Sequence, residues 1–167
     1  MSRVVTIDEY TVPYPGPDVQ RVLLDVHRYA EWWPRPLRFS PLEPGPAAAG
    51  SRVGVRLGLL SWTATLTGVT PERIELSYAG AWNGTARWSF REVIDGTAVL
   101  YRMDVDPRPL WLRLALLRAD PGKRQSRRLR PVFTALGKRL EALGVERVPE
   151  PDRPEPRPPI AGDQPAP

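Results

Sequence analysis

Between Leu37 and Val105 apolar and polar residues alternate with period two and are broken at intervals by turn residues, which predicts a meandering antiparallel sheet with one dry face. One phase carries Val53, Val55, Leu57 and Leu59, then Trp62, Ala64 and Leu66, then Ile74, Leu76 and Tyr78. It continues through Ala86, Trp88 and Phe90 to Val99, Tyr101, Met103 and Val105. The other phase carries Arg52, Arg56, Thr63, Thr65, Arg73, Glu75, Arg87, Arg91, Arg102 and Asp104. Opposed residues share a face, so each turn is tested by the pairs it creates. A two-residue turn at Asp95-Gly96 opposes Phe90 to Tyr101, Trp88 to Met103 and Ala86 to Val105, all apolar. A turn at Leu60-Ser61 opposes Leu59 to Trp62 and Val55 to Leu66. A tight turn at Asn83-Gly84 would set Tyr78 against Ser89, which predicts a three-residue loop or a bulge near Trp82 instead. On this register Trp88 and Phe90 face the core while Arg87 and Arg91 face water.

Two helical signals flank the sheet. After a strand from Val4 to Val12, Pro15, Gly16 and Pro17 break the extended chain. Asp18 then falls in a first helical turn, where a carboxylate suits the free amides, and Val19, Val22, Leu23 and Val26 recur at helical spacing. A second turn or two runs from His27 to Trp33 before Pro34. Towards the other end, Ser126 to Leu143 carries Leu129, Val132, Phe133, Leu136, Leu140 and Leu143 on one stripe, with Gly144 as C-cap. With the first strand and one near Leu37 to Leu42, the sheet reaches about seven strands at about 4.8 Å spacing, far wider than one helix of roughly 10–12 Å. It must curl around the long helix, and its uncovered concave face is either filled by large side chains or left as a cavity.

The 167 residues suffice for one domain with a substantial core. Without cysteine there is no disulfide framework or thiolate metal site, and a single histidine argues against a transition-metal cluster. No metal and no cofactor are expected, and no Walker loop, G-x-G-x-x-G, G-x-S-x-G or H-E-x-x-H run is present. The formal charge of +5 is concentrated: Arg108 to Arg139 holds ten Lys or Arg against Asp120 alone. From Arg147 onward proline alternates with charge, which offers no packing face, so residues 1–146 are expected to form the domain and 147–167 a disordered tail. Charges punctuate the opening residues and no apolar run approaches the roughly 18 residues of a membrane span, which predicts a cytoplasmic protein.

The helix ending D-x-x-x-Y-x-x-W, filled by Asp25, Tyr29 and Trp32, resembles the opening of the polyketide cyclase/START-like (SRPBCC) superfamily. GTARWSF and DGTAVLYR look like strands of that family, and PVFTALGKRLEAL looks like its closing helix. The resemblance implies an α+β helix-grip fold, β-α-α-β6-α, with about seven curled antiparallel strands around a long C-terminal helix and two short helices between the first two strands. It further implies that a small hydrophobic molecule, such as a lipid, quinone or polyketide-like compound, is bound or carried between sheet and helix. It also admits a cyclase or dehydratase in which Tyr78, Tyr101 or an inward-turned arginine polarises a carbonyl, or an interaction module with a filled cavity. These motifs are packing and turn positions, so no catalytic residue is carried over with them.

The inward residues Trp62, Tyr78, Trp88, Tyr101 and Met103, with Phe133 from the helix, are the candidate ligand-binding set; the same residues would fill a closed core. A deep cavity with converging polar groups favours the enzyme, a greasy tunnel the carrier, and a filled core the interaction module. His27, the single histidine and so the natural candidate for a general base, is expected at a helix end on the surface. The apolar run PLWLRLALLR, Pro109 to Arg118, including Trp111, Leu112 and Leu116, is followed by DPGKRQSRRLR, and Leu110 to Arg130 is the candidate gate. It reads either as a gate that touches an anionic membrane surface or as a helix closing the end of the sheet. Nucleic acid is disfavoured, because the basic run has no interleaved aromatics.

Overall fold

The computed structural model describes residues 3–45, 47–118 and 129–150. Strand β1 (Val4–Val12) leads into helix α1 (Gly16–Leu24), a 3-10 turn (Val26–Arg28) and the short α2 (Tyr29–Trp32). Six strands follow: β2 (Arg38–Pro41), β3 (Arg52–Leu57), β4 (Leu60–Thr70), β5 (Arg73–Gly80), β6 (Trp82–Val93) and β7 (Gly96–Pro107). Helix α3 (Leu110–Arg118) and the long α4 (Arg130–Ala142) complete the described chain. The strands form one antiparallel sheet in the order β1-β7-β6-β5-β4-β3-β2. This is the expected α+β helix-grip arrangement, with α3 added between β7 and α4.

The core lies where α4 meets the concave face. Val132, Phe133, Leu136 and Leu140 are its buried stripe, and Leu136 and Leu140 are fully excluded from solvent. They pack among Val19, Val22, Leu23, Trp88, Phe90 and Val99. Arg139 pairs with Glu31 at 3.0 Å and so ties α4 to α2. Leu143, placed on the stripe by its spacing, is instead exposed at the C-cap. The helix stops at Ala142, and the chain turns through Gly144 at φ 71, with Val145 N donating to Leu140 O.

The alternation places the expected phases on the expected faces, but two turns fall elsewhere than predicted. At β6–β7, Val93 pairs with Gly96, so the turn is Ile94-Asp95, and Phe90 opposes Val99, Trp88 opposes Tyr101 and Ala86 opposes Met103. The slip is two residues, which preserves every face: Trp88 and Phe90 are buried while Arg87 and Arg91 are exposed. A type I′ turn needs positive φ at both central residues, and Asp95 does not have it. Gly96 instead lies at φ 142 where the hairpin crosses the end of β1, and a Cβ there would stand 2.1 Å from Val12 O. Gly96→Ala should therefore cost about 1–3 kcal/mol, read as a shifted denaturant midpoint with unchanged slope. At β3–β4 the turn is Gly58-Leu59, with Leu57 paired to Leu60 and Val55 to Trp62. Gly58 at φ 58 takes the first central position, and Leu59, expected inward, is 97% exposed at the tip. Between β5 and β6, where a three-residue loop or a bulge near Trp82 was expected, the last pair is Tyr78 with Gly84, leaving five residues, 79–83. Gly80 there stays paired to Trp62 of β4, and Trp82 and Asn83 to β7, so the two strands part instead of turning tightly.

The last described residues make contacts with the loop after β1. Val148 N donates to Pro13 O at 3.0 Å, and Arg147 Nε donates to the Tyr14 hydroxyl at 3.3 Å. Residues 151–167, and the basic run at 119–128, lie outside the described residues.

Candidate functional site

Between the sheet and the amino-terminal half of α4 lies a cavity of about 590 Å³. Its floor comes from alternate residues of β3 to β7, among them Val53, Val55, Trp62, Ala64, Leu66, Ile74, Leu76 and Trp88. Tyr29 and Trp33 close one end, and Leu129, Pro131 and Val132 of the α4 end form the roof. The seam between α2 and β2 is an aromatic stack. Tyr29 lies over Trp33 with centroids 4.8 Å apart and meets Phe39 edge-on at 4.9 Å. The Tyr29 hydroxyl donates to Leu23 O, which fastens α2 to the end of α1, and burial pushes that phenol far above its ordinary range. The D-x-x-x-Y-x-x-W signature is thus a brace for the cavity wall.

Five of the six predicted site residues, Trp62, Tyr78, Trp88, Tyr101 and Met103, line this space together. Phe133 does not. Successive helix residues are about 100° apart, so Val132 faces the cavity while Phe133 turns aside to stack on Tyr10 at 4.3 Å and to meet Trp88 edge-on at 6.1 Å. The Tyr78 and Tyr101 hydroxyls approach to 3.4 Å across β6. Burial raises both phenols above their usual range, and for Tyr101 the neighbouring Tyr78 and the Asp8 charge push further the same way. Both are therefore neutral hydrogen-bond donors at physiological pH.

The sequence reading missed two polar wall residues, Thr6 and Asp8. Both are buried on β1, at 7% and 4% exposure, and both line the cavity. Asp8 is directly opposite Tyr101 in the β1–β7 ladder. Among the described residues Thr6 Oγ1 and Asp8 Oδ2 have no hydrogen-bond partner. The signal was the inverted polarity of β1: Val12 is buried, so Thr6 and Asp8 share its phase, while apolar Val5 and Ile7 are exposed.

Burial raises the Asp8 carboxyl above its ordinary value. The folded state then holds this proton more tightly than the unfolded chain, so the associated stability is present below the unfolded value near 3.8 and is lost as pH rises through the raised one. Asp8→Asn removes that dependence. The stability gap between Asp8→Asn and the unmodified protein should widen in favour of the variant as pH is raised from about 4 to 8, measured by urea unfolding.

The remaining candidates lie away from the cavity. His27 is exposed in the 3-10 turn with its Nε2 2.7 Å from Gly45 O, as expected for a surface helix end. Helix α3 docks on β7 through buried Leu112 and an Arg113 Nε bond to Pro107 O at 2.8 Å. Its described side chains, 110–114, are not part of the cavity wall. Of the predicted gate, only Leu129 and Arg130 among the described residues reach the α4 end, and only Leu129 lines the space. No three His, Asp or Glu among the described residues are grouped to hold a metal ion, and no described helix is long and apolar enough to cross a membrane.

Fold and site together define a helix-grip protein with an apolar cavity walled by aromatics. Residues 5–141 match the family model described as polyketide cyclase/dehydrase and lipid transport, and the chain belongs to that family. No curated protein sequence matches it. Among solved structures, the Zhui aromatase/cyclase from Streptomyces sp. R1128 is 18% identical, with a TM-score of 0.66 over 86% of this chain and 99% of its own. TTHA0849 from Thermus thermophilus is 16% identical, with a TM-score of 0.68 over 84% and 99%. Norcoclaurine synthase from Thalictrum flavum, solved with dopamine and hydroxybenzaldehyde, is 11% identical, with a TM-score of 0.58 over 84% and 87%. At these identities the likeness concerns the fold.

Proposed function

We propose that the protein binds a small, flat, hydrophobic molecule in the cavity between sheet and long helix. The observation that carries this reading is the space itself: about 590 Å³ lined mainly by apolar and aromatic side chains. Ligand pockets fall in the range of about 300–1,000 Å³ with a few placed polar groups. That supports a ligand site over a filled interaction module. Rigid ring faces from Trp62, Trp88, Tyr78 and Tyr101 match a quinone or polyketide-like ring system better than a flexible acyl chain. Native mass spectrometry of protein purified from its own cell should show a co-purifying mass that is lost on organic extraction. Protein that is homogeneous at its sequence mass, and that fails to take up added aromatic probes, would overturn the reading.

A second reading is favoured by one observation, the Tyr78–Tyr101 hydroxyl pair beside Asp8. Two neutral phenols aimed at a carbonyl oxygen would polarise it, as cyclisation or dehydration of a carbonyl substrate requires. Contact with an anionic surface is a separate proposal, supported by the exposed Leu110, Trp111 and Leu114 of α3 and the basic sequence after them. Binding to anionic vesicles should then fall with added salt and fall again in Trp111→Ser. Equal binding to neutral vesicles would leave α3 as a closing helix only.

A further inference from the structure

An aspartate has no stabilising reason to occupy the inward phase of β1. Asp8 is only 4% exposed, it sits on the wall of an apolar space, and no ion pair fixes it among the described residues. Several carboxylates elsewhere in the fold meet cations: Asp104 is held by Arg3, Glu43 by Arg52, Glu75 by Arg87 and Glu31 by Arg139. Asp106 Oδ1 is a second buried carboxyl oxygen without a partner among the described residues, but Asp106 does not line the cavity. The one arginine in the described cavity wall, Arg35, is an exposed residue of the loop before β2. Thr6, two residues away on the same face, is a second buried polar group with an unmet hydroxyl. Leaving such groups unpaired is costly, and the cost disappears when a ligand supplies the partner.

We propose that Asp8, flanked by Thr6, is the polar anchor of the cavity and selects flat ligands that carry a neutral hydroxyl, a phenol or an enol. The inference rests on the cavity being a ligand site. The chemistry follows from what the wall offers. A ligand hydroxyl donates to the unpartnered Asp8 Oδ2 in either protonation state of the carboxyl, and when the carboxyl carries a proton it donates back to the hydroxyl oxygen, so that the two satisfy each other reciprocally. Thr6 Oγ1 completes the set as a second acceptor or donor. Tyr101, opposite Asp8, turns its hydroxyl towards Tyr78, which leaves the phenol pair for a carbonyl and the carboxyl for the hydroxyl. An ammonium ligand would require the ionised carboxylate, which this apolar wall disfavours.

Titration calorimetry with three probes of one ring size tests this: 2-naphthol, 2-methylnaphthalene and 2-naphthylmethylammonium. The full-length protein should bind 2-naphthol at least tenfold more tightly than 2-methylnaphthalene. Asp8→Leu should erase that preference and raise the melting temperature, because it removes an unpaired buried group. Asp8→Asn, closest in shape, should retain part of the preference and serves if the leucine variant does not fold. Equal binding of 2-naphthol and 2-methylnaphthalene, a preference that survives unchanged in both variants, or tighter binding of the ammonium would each overturn the anchor. Failure of all three probes to bind would overturn the ligand-site reading, and the anchor with it, and so differs from the outcomes that sink the anchor alone.

Discussion

Ala64→Trp should abolish uptake of a cavity ligand while leaving the fold intact. Ala64 lies on the cavity floor in β4, between Val53 on β3 and Tyr78 on β5. An indole at that position points into open space, not into packed neighbours, so the overpacking penalty of about 1–3 kcal/mol should be small or absent. The same ring occupies a large part of the 590 Å³ that Trp62 and Trp88 also line. Affinity for an aromatic probe should fall at least a hundredfold, with the melting temperature within a few degrees of the parent. Thr65→Trp, one residue along and on the outer face, is the matched control and should bind normally. Unchanged binding in Ala64→Trp would place the ligand elsewhere.

The largest loss of stability is expected from Leu136→Ala. Leu136 is fully buried at the centre of the α4 stripe, where helix and sheet close on one another. Removing a buried leucine side chain costs about 2–5 kcal/mol, and the upper part of the range applies where the surroundings cannot collapse. Here the sheet is braced by six ladders and cannot follow the helix inward. For a domain of this size the melting temperature should drop by on the order of 10 °C. The matched change on the exposed side of the helix, Thr134→Ala, should shift it by a degree or two. If Leu136→Ala were as mild as Thr134→Ala, the helix would not be gripped by the sheet as described.

The two turn corrections show how far local sequence carries. Asp95-Gly96 has the composition of a type I′ turn, yet Gly96 serves the crossing with β1, whose Val12 O would collide with any Cβ there. That contact joins residues more than eighty positions apart, and local turn preference carries no information about it. The sheet still came out with the right faces because period two makes a slip of two or four residues invisible to face assignment. Only the pairing partners changed.

What the sequence determined by itself is the repeating part. Periodicity of two and of 3.6 set the strands of the sheet and the helices α1 and α4, though not α3, together with the buried stripe of α4 and the inward phase that carries Trp62, Tyr78, Trp88, Tyr101 and Met103. The width of seven strands against one helix made a curled sheet necessary, and the helix-grip resemblance followed from the same residues. Whether the concave face was filled or open was decided by tertiary structure, because it depends on how far the sheet curls and where α4 sits along it. Tertiary structure also turned Phe133 out of the wall and onto Tyr10, and brought the hydroxyls of Tyr78 and Tyr101 together across β6. Asp8 shows the division most plainly. Its place on β1 was readable, but the apolar surroundings that raise its carboxyl and leave it unpaired arise only when β7 and the wall of the cavity are assembled around it.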